Sequence, residues 1–538
     1  MTSLPIVLAQ LNFVVGDITG NTQKMLIAIS KAIDEKAKLI IFPELAITSY
    51  PPEDLLLRND LYFHIEQALN QLMLASKKID IVVGYPKLEN GLVFNAASWF
   101  QNGKIIASYN KQILPNTGVF DEKRYFTKGQ NNVVVNWEGM KVGLLICEDI
   151  WHSIPISNAC QAGAKFIIAI NASPYSQTKE TLRKAVIKKR CEEQHLSLLY
   201  VNHIGGQDDL LFDGNSMAVN KNGDVAAQAV SFKEQLLTVY FDSSTQQFLE
   251  QALPNQSSLS VIYDSLVIGV QDYINKNNFP GVIIGLSGGI DSALTLAIAV
   301  DALGKERVQA VMMPSQYTAD ISQVDAKSEA DALGVEYSII SIEPMYKTFI
   351  KALSPSFKNR PIDKTEENLQ ARIRGTLLMA LSNKTGRLVL TTGNKSEMAV
   401  GYATLYGDMA GGYCVLKDVY KTLVYQLAHY RNTLSSVIPQ RVIDRAPSAE
   451  LAPNQTDQDS LPPYEVLDEI IRLFVEEDKS ISDIVKKGFD LPTVKKVISM
   501  IYRNEYKRRQ APIGPRITER AFGRNRRYPI TSGFLKLL

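Results

Sequence analysis

The stretch VIIGLSGGIDSA, from Val282 to Ala293, limits the possible folds more than any other part of the sequence. Its apolar start predicts a buried strand, and the ALTLAIAVDAL that overlaps its end predicts a helix. Two glycines and small polar residues lie between them, so few side chains would block an approaching ligand. Backbone amides beside glycines and at a helix N-terminus bind anionic oxygens. The pattern predicts a strand, a phosphate-binding loop and a helix of an α/β domain.

Strands alternate with helices in two separate parts of the chain. Runs such as IVLAQLNF, AKLIIFPEL and VGLLICED recur from Leu4 to about Phe241, and VQAVMMP, EYSIISI and RLVLTTGN follow the glycine loop. A chain of 538 residues exceeds the usual size of one hydrophobic core. We therefore expect a first α/β domain at 1–243, a linker at 244–260 and a second domain at 261–538, doubly wound around a parallel sheet in a Rossmann-like manner.

Composition and charge exclude several classes of protein. The 58 basic and 56 acidic residues give no overall charge that favours nucleic acid. No apolar run approaches the roughly 20 residues of a membrane span, and the N-terminus lacks the basic start of a signal peptide. The four cysteines show neither a disulfide framework nor zinc-ligand spacing. We expect a cytoplasmic protein with no membrane or nucleic-acid partner.

The glycine loop differs from two familiar nucleotide-binding motifs. No lysine follows its glycines as in a Walker loop, and it lacks the G-x-G-x-x-G spacing. Its S-G-G-x-D-S pattern resembles the pyrophosphate loop of the ATP pyrophosphatases, although a capped glycine turn without function is the alternative. The resemblance implies Mg²⁺ on Asp291. It also implies ATP contacts from Leu286, Ser287, Gly288, Gly289, Ile290, Asp291, Ser292, Ala293 and Thr392.

Three later segments extend this resemblance: TEENLQARIRG, TTGNKSEMAVGYATLYGD and PSAELAPNQTDQDSLPPYEVLD. Together with the loop they resemble the synthetase domain of the NAD synthetase family. The resemblance implies that ATP adenylates the nicotinate carboxylate of deamido-NAD and that ammonia then displaces AMP. It places Glu397 beside Asp291 at the metal. Contacts with deamido-NAD are implied for Asn368, Arg372, Glu397 and Lys507, with Arg374 as a further candidate.

These implied contacts have simpler alternatives. Asn368 and Arg372, four positions apart, would lie on one face of a helix. That face could simply be exposed to solvent. The basic stretch that contains Lys507 could be a solvated tail. In VLKDVYK, the residues Lys417, Asp418 and Lys421 could reach the nucleotide or simply begin an amphipathic helix.

Cys147 ends the apolar run VGLLIC and precedes two acidic residues. A cysteine attacks as the thiolate, whose formation needs a nearby base or cation. Glu44 and Lys111 each follow another predicted strand, and the three segments resemble the nitrilase superfamily, whose fold is an αββα sandwich. The resemblance implies that Glu44 is the base, Cys147 the nucleophile and Lys111 the oxyanion stabiliser, with Glu122 positioning them. Surface charges and a core thiol are the alternative.

An amidase joined to an adenylating domain suggests that the amide is glutamine. Over nearly its full length the chain then resembles the glutamine-dependent members of the NAD synthetase family. Contacts with glutamine are implied for Ser173, Lys179 and Thr117, although many relatives carry tyrosine where Thr117 stands. We expect a sealed passage for ammonia and a homo-oligomer. The rival interpretations are an amidotransferase of the same class with another acceptor, and a nucleotide-binding protein without catalysis.

Overall fold

The computed structural model describes residues 3–358, 360–452 and 455–537. The chain divides into two compact units that meet between Ser257 and Ser258. The stretch predicted as a linker, 244–260, includes the short strand Gln247–Phe248 and the start of a helix at Ser258. Among the described residues, no helix has the length and apolar character needed to span a bilayer.

The first unit is built from two β-sheets and four longer helices among its described residues. The helices are α1 Ile18–Asp34, α2 Asn59–Ala75, α3 Ser153–Gln161 and α4 Lys179–Gln194. The strands are β1 Ser3–Gln10, β2 Leu39–Ile41, β3 Asp80–Glu89, β4 Leu92–Gln101, β5 Lys104–Asn110, β6 Val134–Trp137, β7 Met140–Ile146, β8 Phe166–Asn171, β9 Ser197–Asn202, β10 Ile204–Gln207, β11 Leu210–Asp213, β12 Met217–Val219, β13 Val225–Gln228, β14 Gln235–Asp242 and β15 Gln247–Phe248.

One large sheet runs in the order β15-β14-β1-β2-β3-β4-β5 and the other in the order β13-β12-β9-β8-β7-β6, with β10 and β11 pairing separately. Alternate residues of β1 separate to its two faces, as a strand requires. Ile6 and Leu8 pack against residues of the second sheet, such as Ile168. Val7 packs instead with Ile29 of α1. Helices α3 and α4 cover the second sheet, so the unit is the expected αββα sandwich.

The second unit contains a smaller sheet surrounded by helices. Its strands are β16 Val282–Gly285, β17 Val308–Met312, β18 Glu336–Ile339, β19 Leu388–Thr391 and β20 Tyr413–Cys414. Its helices are α5 Ser258–Lys276, α6 Ile290–Leu303, α7 Asp320–Leu333, α8 Glu343–Phe357, α9 Lys364–Thr385, α10 Lys395–Val400, α11 Lys421–Leu434, α12 Gln440–Asp444, α13 Tyr464–Ile471, α14 Ile481–Lys486, α15 Leu491–Arg503 and α16 Glu505–Arg508.

The sheet of the second unit is parallel and runs in the order β18-β17-β16-β19-β20. The chain moves outward from β16 to β18 and then returns to the other side of β16 with β19. The carboxyl ends of β16 and β19 therefore flank the point where the strand order reverses, which is where doubly wound folds bind ligands. The prediction of a doubly wound parallel sheet is confirmed.

Candidate active sites

Three charged side chains of the first unit are buried together. Glu44 follows β2, Lys111 follows β5, and Glu122 lies eleven positions after the lysine; their exposed fractions are 0%, 1% and 4%. Lys111 Nζ donates to Glu44 Oε1 at 2.7 Å and to Glu122 Oε1 at 2.8 Å. A buried ammonium held by two carboxyl groups stays in place when a substrate arrives, because each lost contact would leave a buried charge unpaired.

Burial governs the protonation of this group of side chains. It lowers the pKa of Lys111, but the carboxylates of Glu122 and Glu44 outweigh it, so that pKa lies well above its ordinary value. Burial raises the pKa of Glu122 to about 7 in spite of the lysine. Burial, followed by the charge of Glu44, raises the pKa of Cys147 well above its ordinary value. The resting thiol is therefore neutral, and its attack requires a base.

Cys147 follows β7 at a sharp turn of the backbone. Its φ is 46°, a left-handed conformation that is uncommon for a residue with a side chain and is often found at functional sites. Asp149, two positions later, accepts hydrogen bonds from the backbone amides of Gln112 at 3.1 Å and Ile113 at 2.8 Å. Asp149 thus joins the turn of Cys147 to the chain that follows Lys111. Asp149 was not among the predicted site residues, although its position two residues after the cysteine was a signal.

Hydrogen bonds fix the orientation of Glu44. Asn95 Nδ2 donates to Oε1 of Glu44 at 2.7 Å, and the amide of Ala172 donates to Oε2 at 2.8 Å. The hydroxyl of Tyr50 donates to Glu122 Oε1 at 3.0 Å. Neither Asn95 nor Tyr50 was predicted from the sequence, since each meets its partner only through the tertiary fold.

The three residues predicted to bind glutamine have different surroundings. Ser173 follows β8, is buried, and donates its amide to Asn202 Oδ1 at 2.9 Å. Lys179 begins α4, and its Nζ lies 4.2 Å from the ring centroid of Trp151, which ends the turn begun by Cys147. Thr117 is exposed in the loop after Lys111. The lysine is therefore linked to the nucleophile's turn, and Ser173 to the end of β9.

The carboxyl ends of β16 and β19 open into a cavity of about 290 Å³. Leu286 to Ser292 and Thr392, predicted to bind ATP, line this cavity. Ala293 is instead buried within α6. Gly288 has a φ of +81°, and a Cβ there would lie 2.3 Å from the carbonyl oxygen of Ser322. The loop therefore packs closely on α7 and requires glycine at this position.

Two carboxyl groups meet beside the loop. Lys421 Nζ donates to Asp291 Oδ2 and lies 3.6 Å from Glu397 Oε1. Asn394 Nδ2 donates to the other oxygen of Asp291 at 2.8 Å. Burial, followed by repulsion from Asp291, raises the pKa of Glu397 to about 8. The pair thus already attracts a cation, here the ammonium of Lys421.

This donor set fits magnesium. Mg²⁺ is commonly bound by one or two carboxylates together with substrate phosphates, and both carboxyl groups line the cavity beside the phosphate-type loop. The described residues contain no cluster of three or more His, Cys, Asp or Glu side chains arranged to hold a metal on their own. A cation here would need oxygens from a phosphorylated ligand.

Three of the four residues predicted to contact deamido-NAD lie behind one segment of the cavity wall, whereas the fourth, Glu397, lines the cavity itself. Thr404 Oγ1 donates to Asn368 Oδ1 at 2.9 Å, and Arg372 Nε donates to the carbonyl of Leu405 at 3.2 Å. Lys507 Nζ donates to the carbonyl of Ala403 at 2.8 Å. All three side chains therefore bind the segment 401–405, two of whose residues face the cavity.

Arg374 is the arginine of α9 that lines the cavity itself. Its Nε donates to the carbonyl of Met313 at 3.0 Å. Burial lowers its pKa to about 10, so the guanidinium is still charged at neutral pH. The structure thus favours Arg374 over Arg372 for direct contact with a ligand in the cavity.

The two sites define a class of protein. A buried Glu, Lys and Cys in an αββα sandwich is typical of a carbon–nitrogen hydrolase, and the second unit is typical of an adenylating synthetase. The family models agree: "Carbon-nitrogen hydrolase" matches residues 6–250 and "NAD synthase" matches residues 262–511.

Full-length relatives make the assignment specific. The "Glutamine-dependent NAD(+) synthetase" of Acinetobacter baylyi is 51% identical over 538 residues, which cover 99% of each chain. The protein of the same name from Aquifex aeolicus is 44% identical, and the match covers 99% of this chain and 100% of the relative. A solved structure of the Acinetobacter baumannii enzyme with adenosine diphosphate is 50% identical, covers 99% of each chain and has a TM-score of 0.81. The chain belongs to the glutamine-dependent NAD(+) synthetase family.

Proposed function

We propose that this chain releases ammonia from glutamine in its first unit and uses it in the second to convert deamido-NAD into NAD. ATP is cleaved to AMP and pyrophosphate in the second step. The observation that carries the proposal is the presence, in one chain, of the buried Cys147 with the Glu44–Lys111 pair and of a glycine-rich loop that lines a cavity together with Asp291. The adenosine diphosphate of the Acinetobacter baumannii structure supports adenine-nucleotide binding.

Glutamine cleavage follows from the order of the buried groups. Glu44 takes the proton of the Cys147 thiol, and the sulfur attacks the side-chain amide carbon. The ammonium of Lys111 faces the oxyanion that forms, and it is already charged because of its two carboxyl partners. Glu44 returns the proton to the leaving nitrogen, ammonia departs and a thioester remains. Glu44 then activates water to release glutamate.

Substrate contacts follow from the surroundings of this centre. Lys179 binds the glutamine carboxylate, and Ser173 and Thr117 contact its polar groups. Lys179 is suited to this role because it begins α4, beside the turn that carries Cys147. The exposed Thr117 offers only a small hydroxyl, so it contributes little packing.

In the second unit, the amides of the loop 286–289 and the hydroxyls of Ser287 and Ser292 bind the phosphates of ATP. Bound Mg²⁺, held by Asp291 and Glu397, would neutralise negative charge on those phosphates. Lys421 would move from the two carboxyl groups toward the phosphates. Thr392 contacts ATP at the end of β19, and Arg374 binds an anionic group of deamido-NAD or its adenylate.

Asn368, Arg372 and Lys507 act on deamido-NAD through the segment 401–405 that they hold in place. Glu397 lines the cavity itself and contacts deamido-NAD there. The proposal further includes a homo-oligomer located in the cytoplasm, and sedimentation of the purified protein would test the assembly.

The proposal is tested by incubating the protein with ATP, Mg²⁺, deamido-NAD and glutamine. NAD and AMP should form in equal amounts, with at least as much glutamate. A screen of other carboxylate acceptors, followed by AMP release, tests the alternative of an amidotransferase for a different substrate. AMP release that depends on another acceptor and not on deamido-NAD would contradict the proposal.

A further inference from the structure

Asp468, in α13, lies behind the cavity and contacts the immediate neighbours of two residues in it. Ser396 Oγ donates to Oδ1 of Asp468, and Ser396 precedes Glu397. Both the amide and the hydroxyl of Thr422 donate to Oδ2, at 2.9 and 2.8 Å, and Thr422 follows Lys421. Asp468 is buried, with 6% of its surface exposed. Its carboxyl group therefore joins the segment that carries Glu397 to the segment that carries Lys421.

A further hydrogen bond closes this arrangement. The amide of Lys421 donates to Ser396 Oγ at 2.9 Å, so the serine hydroxyl links the start of α11 to Asp468. The N-cap residue of α11 is Tyr420, whose side chain makes no capping hydrogen bond. The backbone amides in the first turn of a helix need hydrogen-bond acceptors from outside the helix. A carboxylate at this end also interacts favourably with the helix dipole. Asp468 supplies that cap from another helix.

A second buried carboxylate strengthens the same junction. Asp418 Oδ1 lies 2.8 Å from Lys395 Nζ, and its Oδ2 accepts from the amides of Ile517 and Thr518. The amide of Lys395 donates to the carbonyl of Val419 at 2.8 Å. A nucleotide contact was one of the two possibilities for Asp418 in the sequence. In the structure, both of its carboxylate oxygens instead have partners within the protein. The start of α10 and the start of α11 form one braced unit.

We propose that Asp468 is a positioning residue of the synthetase site: it fixes Glu397 and Lys421 at the spacing needed to meet the phosphates of ATP. The inference rests on the proposed function. Without Asp468, Ser396 and Thr422 would lose their common acceptor, so the segments that carry Glu397 and Lys421 would be free to shift against each other when Lys421 leaves for a phosphate. A displacement of about 1 Å at a reacting centre lowers the rate by up to about a hundredfold.

Three variants test this role: Asp468→Asn, Thr422→Val and, as the matched control, Glu469→Gln. Glu469 is the next residue of α13, is partly exposed and pairs with Arg472. For each variant, kcat of ammonia-supported NAD synthesis is measured against Mg²⁺ concentration. Glutamine hydrolysis without ATP and deamido-NAD, and the thermal midpoint, are measured on the same samples.

We expect Asp468→Asn to lower kcat roughly ten- to a hundredfold and to raise the Mg²⁺ concentration for half-maximal rate. Thr422→Val, which removes one hydrogen bond, should give a loss of roughly two- to tenfold. Glu469→Gln should match the unsubstituted protein, and glutamine hydrolysis should be unchanged in all three. Wild-type kcat and Mg²⁺ dependence in both Asp468→Asn and Thr422→Val would overturn the proposal, as would a loss explained entirely by unfolded protein.

Binding of a non-hydrolysable ATP analogue with Mg²⁺ separates this inference from the proposed function. Weaker binding by Asp468→Asn than by Glu469→Gln supports the positioning role even if the unsubstituted protein makes no NAD. Equal binding together with full catalysis contradicts it. Absence of NAD formation by the unsubstituted protein contradicts the proposed function alone.

Discussion

The two units build their chemistry from different groups, the first from packed side chains and the second mainly from backbone amides. In the first unit the reacting groups are side chains that are already packed, with Glu44, Lys111 and Glu122 each at most 4% exposed. In the second unit the phosphate-type loop offers mainly backbone amides to an open cavity of about 290 Å³. The difference follows from the reactions: a covalent intermediate requires a nucleophile, base and cation fixed in advance, whereas phosphates bring their own charge and require space, amides and a metal.

The comparison predicts that each site can be lost without the other. Replacing Cys147 by alanine should lower glutamine-dependent NAD formation by about 10⁴-fold or more, because no other group can form the thioester. NAD formation from added ammonium salt should stay within about twofold. Cys160→Ala is the control, since Cys160 Sγ only donates weakly to the carbonyl of Gln194. Loss of the ammonia-supported reaction in Cys147→Ala would show that the sites are not separable.

The corresponding change in the second unit is Gly288→Ala. The new Cβ would lie 2.3 Å from the Ser322 carbonyl oxygen, at a φ of +81°, so the loop must move away from α7. We expect ATP-dependent amidation to fall about a hundredfold while basal glutamine hydrolysis is retained. Gly488→Ala provides the control, because Gly488 also has a positive φ of +100° but faces open space. If Gly288→Ala and Gly488→Ala lose amidation equally, backbone strain alone accounts for the loss.

Buried acids sharpen the contrast between the units. Glu44 and Glu122 share the Lys111 ammonium, whereas Glu329 of α7 is buried with no hydrogen-bond partner for either oxygen among the described residues. Burial raises the pKa of Glu329 from 4.5 to about 8. Its contribution to stability is therefore full below pH 4.5 and is lost as the pH rises through about 8.

Glu329→Gln should therefore raise the thermal midpoint relative to the unsubstituted protein by roughly 5 °C or more at about pH 9, and little at about pH 5. Thermal unfolding at the two pH values measures this. The variant keeps the shape of the side chain but cannot ionise. The same difference at both pH values would contradict a titrating carboxyl group.

The smallest expected effect concerns Trp151 beside Lys179. Removing the ring by Trp151→Leu should raise KM for glutamine roughly two- to fivefold, because a cation–π contact contributes about 1 kcal/mol. KM for ammonium should not change. Trp151→Phe keeps an aromatic ring, so its KM for glutamine should lie between those of the unsubstituted protein and Trp151→Leu. If leucine and phenylalanine raise KM equally, packing and not the cation–π contact orients the lysine.

Patterns within short segments predicted much of this molecule. The alternation of strands and helices predicted two α/β units, and the resemblance to the nitrilase superfamily implied the αββα sandwich of the first. The glycine loop singled out Leu286 to Ser292, which line part of the cavity. Glu44, Lys111 and Cys147 each follow a predicted strand, and the resemblance of their segments to the nitrilase superfamily singled them out. Lys111 and Glu44 form a direct ion pair.

Contacts between distant segments could not be predicted in this way. Asp149, Asn95 and Asp468 have roles only through the residues that the fold brings to them. The burial of charged side chains could not be predicted either. The basic stretch 503–527 could have been a solvated tail, but Arg508 and Arg526 are buried and both donate to Glu505 Oε2. A charge's partner is a property of tertiary structure, which composition does not reveal.

The central claim is that a nitrogen atom released in the first unit is used in the second. Glutamine labelled with ¹⁵N in its side-chain amide, supplied with ATP, Mg²⁺ and deamido-NAD in the presence of unlabelled ammonium, tests it directly by mass spectrometry of the product. The account predicts ¹⁵N in the carboxamide of NAD, in proportion to the glutamate formed. Glutamate and AMP formation without label in NAD would contradict it.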